Sequence, residues 1–188
     1  MIDINEIPKN KVVTLYSEDI HNDFDEFNEF VSGFIVAYNN EKIVLACLDH
    51  YGENNGFLLL KSKSIYRIDY GSYYEKKLKS LYDLKKEKHE SINFYKKNSS
   101  FIQQILLWAY QMKKIILVKF PDSETELCGY FEDLETNKIK VIDQYECKPE
   151  QGNSYINPEK ADYIWVDGRR LRDADLVYKS RKDNKNAW

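Results

Sequence analysis

The chain is poor in the residues on which several classes of protein depend. Only three cysteines and three histidines occur among 188 residues, and no two cysteines form a Cys-x-x-Cys pair, so neither a disulfide framework nor a structural zinc site is expected. The seven glycines are not clustered, which excludes a glycine-rich phosphate-binding loop. No apolar run approaches the roughly 20 residues of a membrane span, and the N-terminus lacks the basic start of a signal peptide. We therefore expect a cytosolic protein without a membrane partner.

Two stretches of the chain present the same features in the same order. Each has an apolar strand, a glycine followed by two apolar residues, a second apolar strand, another glycine and a further apolar strand. The members are residues 11–15, Gly33, 42–45, Gly56 and 65–69 in the first stretch, and residues 114–118, Gly129, 138–141, Gly152 and 163–167 in the second. The offset is 96 at both glycine pairs (129 − 33 and 152 − 56) and 98 between Asp69 and Asp167 (167 − 69). The repeated order predicts two copies of one small β unit of about five strands.

Helical patterns separate the two copies. Ser72 with Glu75, and Ser100 with Gln103, have the spacing of capping boxes that begin helices. The second helix, residues 101–112, is apolar almost all round and too short to span a bilayer, so it is expected to lie in an oligomer interface or in a seam between the copies; we favour the seam. The chain is thus divided into a first copy (1–71), a helix and linker (72–99), a helix with the second copy (100–178) and a disordered tail (179–188).

The end of the second copy carries a short motif, Val166-Asp167-Gly168-Arg169. Together with a glycine early in the second strand and a helix before the second copy, this motif resembles the Sm-like branch of the SH3-type small β-barrels, over residues 11–70 and 100–178. The resemblance implies a mostly β protein with some α structure, built as two tandem five-stranded small barrels joined by a helical segment. It also implies RNA binding, although Asp167 stands where that family has its RNA-contacting basic residue.

Charge is unevenly distributed along the chain, whose net charge is only −3. Residues 61–97 have eleven basic and five acidic residues, a net charge of +6, whereas residues 120–150 have three basic and nine acidic residues, a net charge of −6. Such segregation predicts complementary surfaces that pair the two copies or two chains. Tyrosines among the lysines also offer stacking faces beside cations, as RNA or single-stranded DNA requires. The candidate partner or nucleic-acid surface comprises Tyr66, Arg67, Tyr73, Lys76, Lys77 and Lys79.

A second candidate binding cluster follows the last predicted strand. Arg169, Arg170 and Arg172 form the densest group of guanidinium side chains in the chain. Arginine binds carboxylates or phosphates through paired hydrogen bonds, so the cluster is a candidate for a partner or nucleic acid. The favoured alternative is pairing within the chain, either with Asp173 and Asp175 or with the acidic loops of the second copy.

Signatures of catalysis are weak. His21, His50 and His89 lack metal-binding spacing, and Cys47 and His50, three apart on a strand, would point to opposite faces. We predict no catalytic residue, cofactor or metal site. Because small β units expose edge strands that a partner strand can extend, the expected function is non-enzymatic assembly through protein–protein interaction or self-association. RNA or single-stranded nucleic-acid binding is the alternative, and an undetected enzyme the third.

Overall fold

The computed structural model describes residues 4, 7–8, 10–20, 30–95, 99–121, 123, 126–142 and 152–183. Within these residues ten strands and three helices follow one another along the chain. They are β1 (Val12–Ser17), β2 (Phe30–Tyr38), β3 (Lys42–Leu48), β4 (Asn54–Lys61), β5 (Ile65–Tyr70), α1 (Tyr73–Leu84), α2 (Phe101–Gln111), β6 (Ile115–Lys119), β7 (Leu127–Asp133), β8 (Lys138–Val141), β9 (Gly152–Tyr155), β10 (Tyr163–Val166) and α3 (Arg169–Asp183). The chain is therefore mostly β with some α structure, as the sequence predicts.

All ten strands belong to one open antiparallel sheet, in the order β5-β1-β2-β3-β4-β10-β6-β7-β8-β9. The two halves meet where β4 pairs with β10, with Leu59 opposite Ile164 and Phe57 opposite Val166. The prediction of two separate five-stranded small β-barrels is therefore wrong. Neither half forms a closed barrel. β4 of the first half pairs with β10 of the second half, so a single sheet contains the strands of both halves.

The physical reason for this joining lies in the apolar strands at the centre. Residues 57–60 are all buried, with Phe57 and Leu59 on one face of the sheet and Leu58 and Leu60 on the other. A strand that is apolar on both faces requires cover on both faces, and in this sheet β4 is covered by α2 on one face and by the layer containing α3 on the other. The sequence reveals the two apolar faces but not which strand lies at each edge, which is why the barrel prediction failed.

The core consists of two main layers, one on each face of the sheet. On one face α2 packs with Ile102, Ile105 and Ala109 against apolar side chains of β2, β3 and β4 as well as β6, β7, β8 and β10. On the other face α3 contributes Leu171 and Tyr178 to a layer that also draws on both halves. The prediction that the apolar helix forms an internal seam is confirmed, whereas separate hydrophobic interiors for each half are not found.

Each half has the same strand order, because β5-β1-β2-β3-β4 and β10-β6-β7-β8-β9 correspond strand by strand. Gly33 lies opposite Val13, and Gly129 lies opposite Ile116. A Cβ on Gly33 would approach the Ala46 carbonyl oxygen to 2.3 Å, and a Cβ on Gly129 would approach that of Lys140 to 2.1 Å. The two glycines therefore occupy equivalent positions for the same steric reason.

The structural repeat also includes the helix after the last strand of each half. Tyr70 pairs with Val13 as Val166 pairs with Ile116, so the offset in this strand is 96 and Asp167 corresponds to Gly71. The predicted correspondence of Asp69 with Asp167, at an offset of 98, is therefore wrong, and Asp69 corresponds to Trp165. Gly71 (φ 79°) and Asp167 (φ 57°) both have left-handed backbone conformations, and α1 and α3 each begin two residues later. The equivalence of α1 and α3 is not among the features predicted from the sequence.

Both predicted helix starts are confirmed. The Glu75 carboxylate accepts a hydrogen bond from the Ser72 backbone N–H (2.9 Å), and the Gln103 side chain accepts one from the Ser100 N–H (2.9 Å). At the other end of the chain, α3 extends to Asp183. Residues 179–183 are therefore helical rather than part of a disordered tail, and residues 184–188 lie outside the described residues.

The junction between the halves depends on the absence of a side chain at Gly56. A Cβ there would lie 2.1 Å from the Val166 carbonyl oxygen, and the φ of Gly56 is +75°. Gly56→Ala should therefore lower the free energy of unfolding by more than about 2 kcal/mol, measured by urea denaturation.

Gly71→Ala provides the matched control for this substitution. Its φ is +79°, yet nothing described lies within 4 Å of the added Cβ. Only the backbone strain remains, so a loss of about 1 kcal/mol is expected. Equal losses for the two variants would contradict the close approach of β10 to Gly56.

Candidate functional site

Arg169 and Arg172 of the arginine cluster bind within the chain. The Arg169 guanidinium donates to Asp49 (3.1 Å) and Glu53 (3.1 Å), which lie in the turn between β3 and β4. Arg172 donates to the carbonyl oxygens of Asp167 (2.5 Å) and Asn54 (2.7 Å). Pairing within the chain, the favoured alternative, is therefore what the structure contains. The partners were misassigned, because they lie mainly in the first half rather than at Asp173, Asp175 or the acidic loops of the second.

These arginines form part of a larger contact that joins α3 and β10 to the first half. The Trp165 indole N–H donates to the Asn55 carbonyl oxygen at 2.9 Å. Lys61 of β4 and Asp162, which directly precedes β10, form an ion pair of 2.5 Å. The hydrogen bonds of Arg169 and Arg172 and the pairing of β4 with β10 thus stabilise the same contact between the two halves. Arg170 is exposed beside it.

The Tyr/Lys surface predicted from the sequence divides into two parts. Tyr66 and Arg67 lie on β5, where the Arg67 guanidinium pairs with Asp69 (2.6 Å) and lies 4.6 Å from the centre of the Tyr16 ring. The other residues lie on α1, and Lys79 there forms an ion pair with Asp83. Arg67 and Lys79 are therefore already neutralised by neighbouring carboxylates.

The remaining residues form what we call the α1 face, consisting of Tyr73, Lys76 and Lys77. Their spacing of three and four residues places them side by side on the helix. All three are exposed, and Tyr73 is 84% exposed. Within the part of the chain that the structure describes, no ion pair involves Lys76 or Lys77.

The two ends of the sheet are β5 and β9, and no described strand pairs with their outer sides. Ile156, which follows β9, donates its N–H to the Asn137 carbonyl oxygen (3.1 Å), so its backbone faces inward. Since backbone direction alternates along a strand, Asn153 and Tyr155 direct their N–H and C=O groups outward. A further strand beside the open side of β9 could therefore form hydrogen bonds with the backbone N–H and C=O groups of these two residues.

β9 was not predicted from the sequence as a binding element. Its sequence, Gly-Asn-Ser-Tyr, has no apolar alternation and is only four residues long. The signal that could have found it is the offset of 96, because β9 corresponds to the strongly apolar β4. Tyr155 is 71% exposed at this edge, while Tyr66 and Tyr70 are exposed on β5 at the other.

Two buried ionisable groups, Glu75 and Cys47, have hydrogen-bond partners within the chain. Glu75, only 4% exposed, accepts from the Thr14 hydroxyl (2.8 Å) as well as from the Ser72 N–H, so it caps α1 and joins it to β1. Cys47 is buried, which raises the pKa of its thiol, and His50 is exposed, so the structure does not bring them together. Among the described residues no cluster of His, Cys, Asp or Glu is suited to holding a metal ion.

Comparisons with protein-family models, curated proteins and solved structures gave no match. Of the helices that the structure describes, none is both long and apolar enough to cross a membrane. The open sides of β5 and β9 and the exposed α1 face are candidate binding surfaces among the described residues.

His89 provides a test of the packing beside β3. Its Nε2 lies 2.9 Å from the Cys47 carbonyl oxygen, which can only accept, so Nε2 carries the proton and the neutral Nδ1 accepts from the Tyr82 hydroxyl at 3.1 Å. Burial lowers the pKa of His89. The imidazole of the unfolded chain therefore takes up a second proton, at Nδ1, more readily than the folded one does. The contribution of His89 to stability is complete above the unfolded pKa and is lost as the pH falls below it.

We expect the free energy of unfolding to decrease between about pH 7 and about pH 5.5, above the range in which most carboxylates titrate. His89→Gln should flatten this dependence, whereas His50→Gln, at an exposed position, should leave it unchanged. Urea denaturation at several pH values measures both. A His89→Gln variant with the full wild-type pH dependence would rule out this role for His89.

Proposed function

We propose that this chain is a cytosolic, non-enzymatic assembly protein that binds another protein by adding a strand to an open edge of its sheet. The observation that carries the proposal is the outward-facing backbone of Asn153 and Tyr155 on β9. Unpaired N–H and C=O groups on an edge strand form a template for a further strand. Main-chain hydrogen bonds then provide affinity, and the side chains beside the edge provide specificity.

The composition of the two edges supports this function. Protected edges typically carry lysine, proline or a bulge that prevents pairing. No lysine or proline occurs in β9, and Arg67, the one basic residue of β5, is paired with Asp69. The register of β5 shifts at Tyr66, so its regular edge for a further strand is the segment from Arg67 to Tyr70. Tyrosines are exposed at both edges, and tyrosine is enriched in protein interfaces.

Affinity capture from the native host tests this function. The tagged wild-type protein is compared with Tyr155→Pro, which removes an outward N–H without breaking a described β8–β9 hydrogen bond. Tyr155→Ala is the matched control, because it removes the side chain and keeps the N–H. We expect a protein that co-purifies with wild type to be retained with Tyr155→Ala and lost with Tyr155→Pro.

Nuclease treatment before elution separates protein contacts from those mediated by nucleic acid, and thermal unfolding verifies that both variants fold. Capture of the same proteins by Tyr155→Pro and by a Tyr70→Pro variant, which alters the other edge, would overturn strand addition.

The α1 face supports a second candidate function, the binding of RNA or single-stranded DNA. Lys76 and Lys77 are exposed, lack ion-pair partners among the described residues and lie beside the exposed ring of Tyr73. Cations next to an aromatic face bind the backbone and stack on the bases of a single strand. The net charge of +6 over residues 61–97 would attract such a ligand at low salt.

Fluorescence anisotropy with labelled single-stranded RNA and DNA tests this second candidate. The double substitution Lys76→Glu and Lys77→Glu should weaken binding at least about tenfold, and added salt should weaken wild-type binding. Lys88→Glu with Lys160→Glu makes the same change of charge at exposed positions elsewhere and should have little effect. Equal weakening by the two double variants would show a general charge effect rather than a site on α1.

A further inference from the structure

The junction inside the molecule joins two strands whose counterparts are the free edges. Because the two halves share one strand order, β4 corresponds to β9 and β10 corresponds to β5. The internal contact pairs β4 with β10. The strands left at the ends of the sheet, β9 and β5, are therefore the equivalents of the two strands that already pair.

We infer that the partner at the sheet edges is a second copy of this chain, bound head to tail, so that β9 of one molecule pairs with β5 of the next. This inference rests on the strand-addition function proposed above and specifies its partner. The contact is heterologous, since different surfaces meet, and such contacts form either closed rings or open filaments.

The internal junction specifies the register of the contact. Phe57 pairs with Val166, and Leu59 pairs with Ile164. Applying the offset of 96, Asn153 should lie opposite Tyr70 of the next molecule and Tyr155 opposite its Ile68. Both Asn153 and Tyr155 have outward-facing backbone groups, so the edge can form these hydrogen bonds without rearrangement.

The glycine at the start of β9 fits the same geometry. Gly56 lies in β4 where the end of β10 comes so close that a Cβ would meet the Val166 carbonyl oxygen. Its equivalent, Gly152, also has a positive φ (111°), but no described atom lies within 4 Å of the position of its Cβ. The space that β10 fills beside Gly56 is therefore open beside Gly152, where the end of a neighbouring β5 would lie.

The helix contacts repeat in the same way. Arg169 and Arg172 reach from α3 across the junction to the first half, and the offset of 96 relates them to Tyr73 and Lys76 on α1. These two side chains are exposed, as expected of groups whose partner lies on another molecule. Tyr155 and Tyr70 are also exposed at the surfaces that would meet.

Charge favours head-to-tail over like-edge pairing. Residues 61–95, which include β5 and α1, have nine basic and five acidic residues, a net charge of +4. The described residues between 120 and 142, which include β8, the neighbour of β9, have two basic and four acidic residues, a net charge of −2. Head-to-tail association brings opposite charges together, whereas β5–β5 or β9–β9 pairing brings like charges together.

Two complementary variants test the inference. Tyr155→Pro alters only β9, and Tyr70→Pro alters only β5. By light scattering after size-exclusion chromatography, nuclease-treated wild type should form species larger than a monomer, and each variant alone should stay monomeric. Mixed in equal amounts, they should form a dimer of one chain of each, because one intact β9 edge and one intact β5 edge remain.

A cysteine experiment tests the same register without proline. Ser154 and Asp69 correspond to Leu58 and Trp165, which lie opposite each other at the junction. In an equal mixture of Ser154→Cys and Asp69→Cys chains, the mixed disulfide should greatly exceed the half of the product that random pairing gives, because opposed residues of neighbouring strands lie within disulfide reach. The random 1:2:1 distribution of the three possible disulfides would overturn the register.

The remaining outcomes separate this inference from the proposed function. Wild type that is monomeric at all concentrations overturns self-assembly, and so does a larger species that disappears on nuclease treatment. Assembly that persists in Tyr70→Pro but not in Tyr155→Pro would indicate pairing of two β9 edges and would also overturn it. If wild type is monomeric but Tyr155→Pro loses a captured protein, strand addition stands with a different partner; if neither occurs, both proposals fail.

Discussion

The pairing of β4 with β10 is the constraint on which the rest of the structure depends. It turns two sets of five strands into one sheet, and it exists because Gly56 lets the end of β10 approach the β4 backbone. Leu59 and Ile164 meet at this contact, and α2 covers the face on which they lie. The arginines of α3 then fix the turn before β4. Apolar packing, strand pairing and charged hydrogen bonds thus act at the same place.

A sheet formed in this way has ends as well as a centre. Its central strands are buried on both faces, whereas β9 at one end is short, polar and exposed. β4 pairs with β10 inside the chain, whereas β9, its equivalent in the second half, has no described strand on its outer side. A protein made of two equivalent halves thus presents, at its two ends, the two surfaces that it uses internally, and this follows from strand order alone.

The sequence predicted the local features well because local physics determines them. The capping boxes at Ser72 and Ser100, the equivalence of Gly33 and Gly129 and the apolar seam helix all depend on residues near one another or on a simple periodicity. The pairing of β4 with β10 was not predictable in this way, because hydrophobic pattern identifies the faces of a strand and not its neighbours. Arg169 and Arg172 were identified as a cluster, but their partners in the β3–β4 turn are defined only by that long-range pairing.

The position of α2 has a consequence for how the chain acquires its structure during synthesis. Leu59 and Ile164 are 105 residues apart (164 − 59), so the first half emerges from the ribosome long before the strand that completes it. Until then Phe57 and Leu59 lack β10, and before α2 has been synthesised they also lack its cover. Contacts so distant in sequence form slowly and leave apolar strands open to aggregation. The nascent first half is accordingly the stage at which this protein most needs a chaperone.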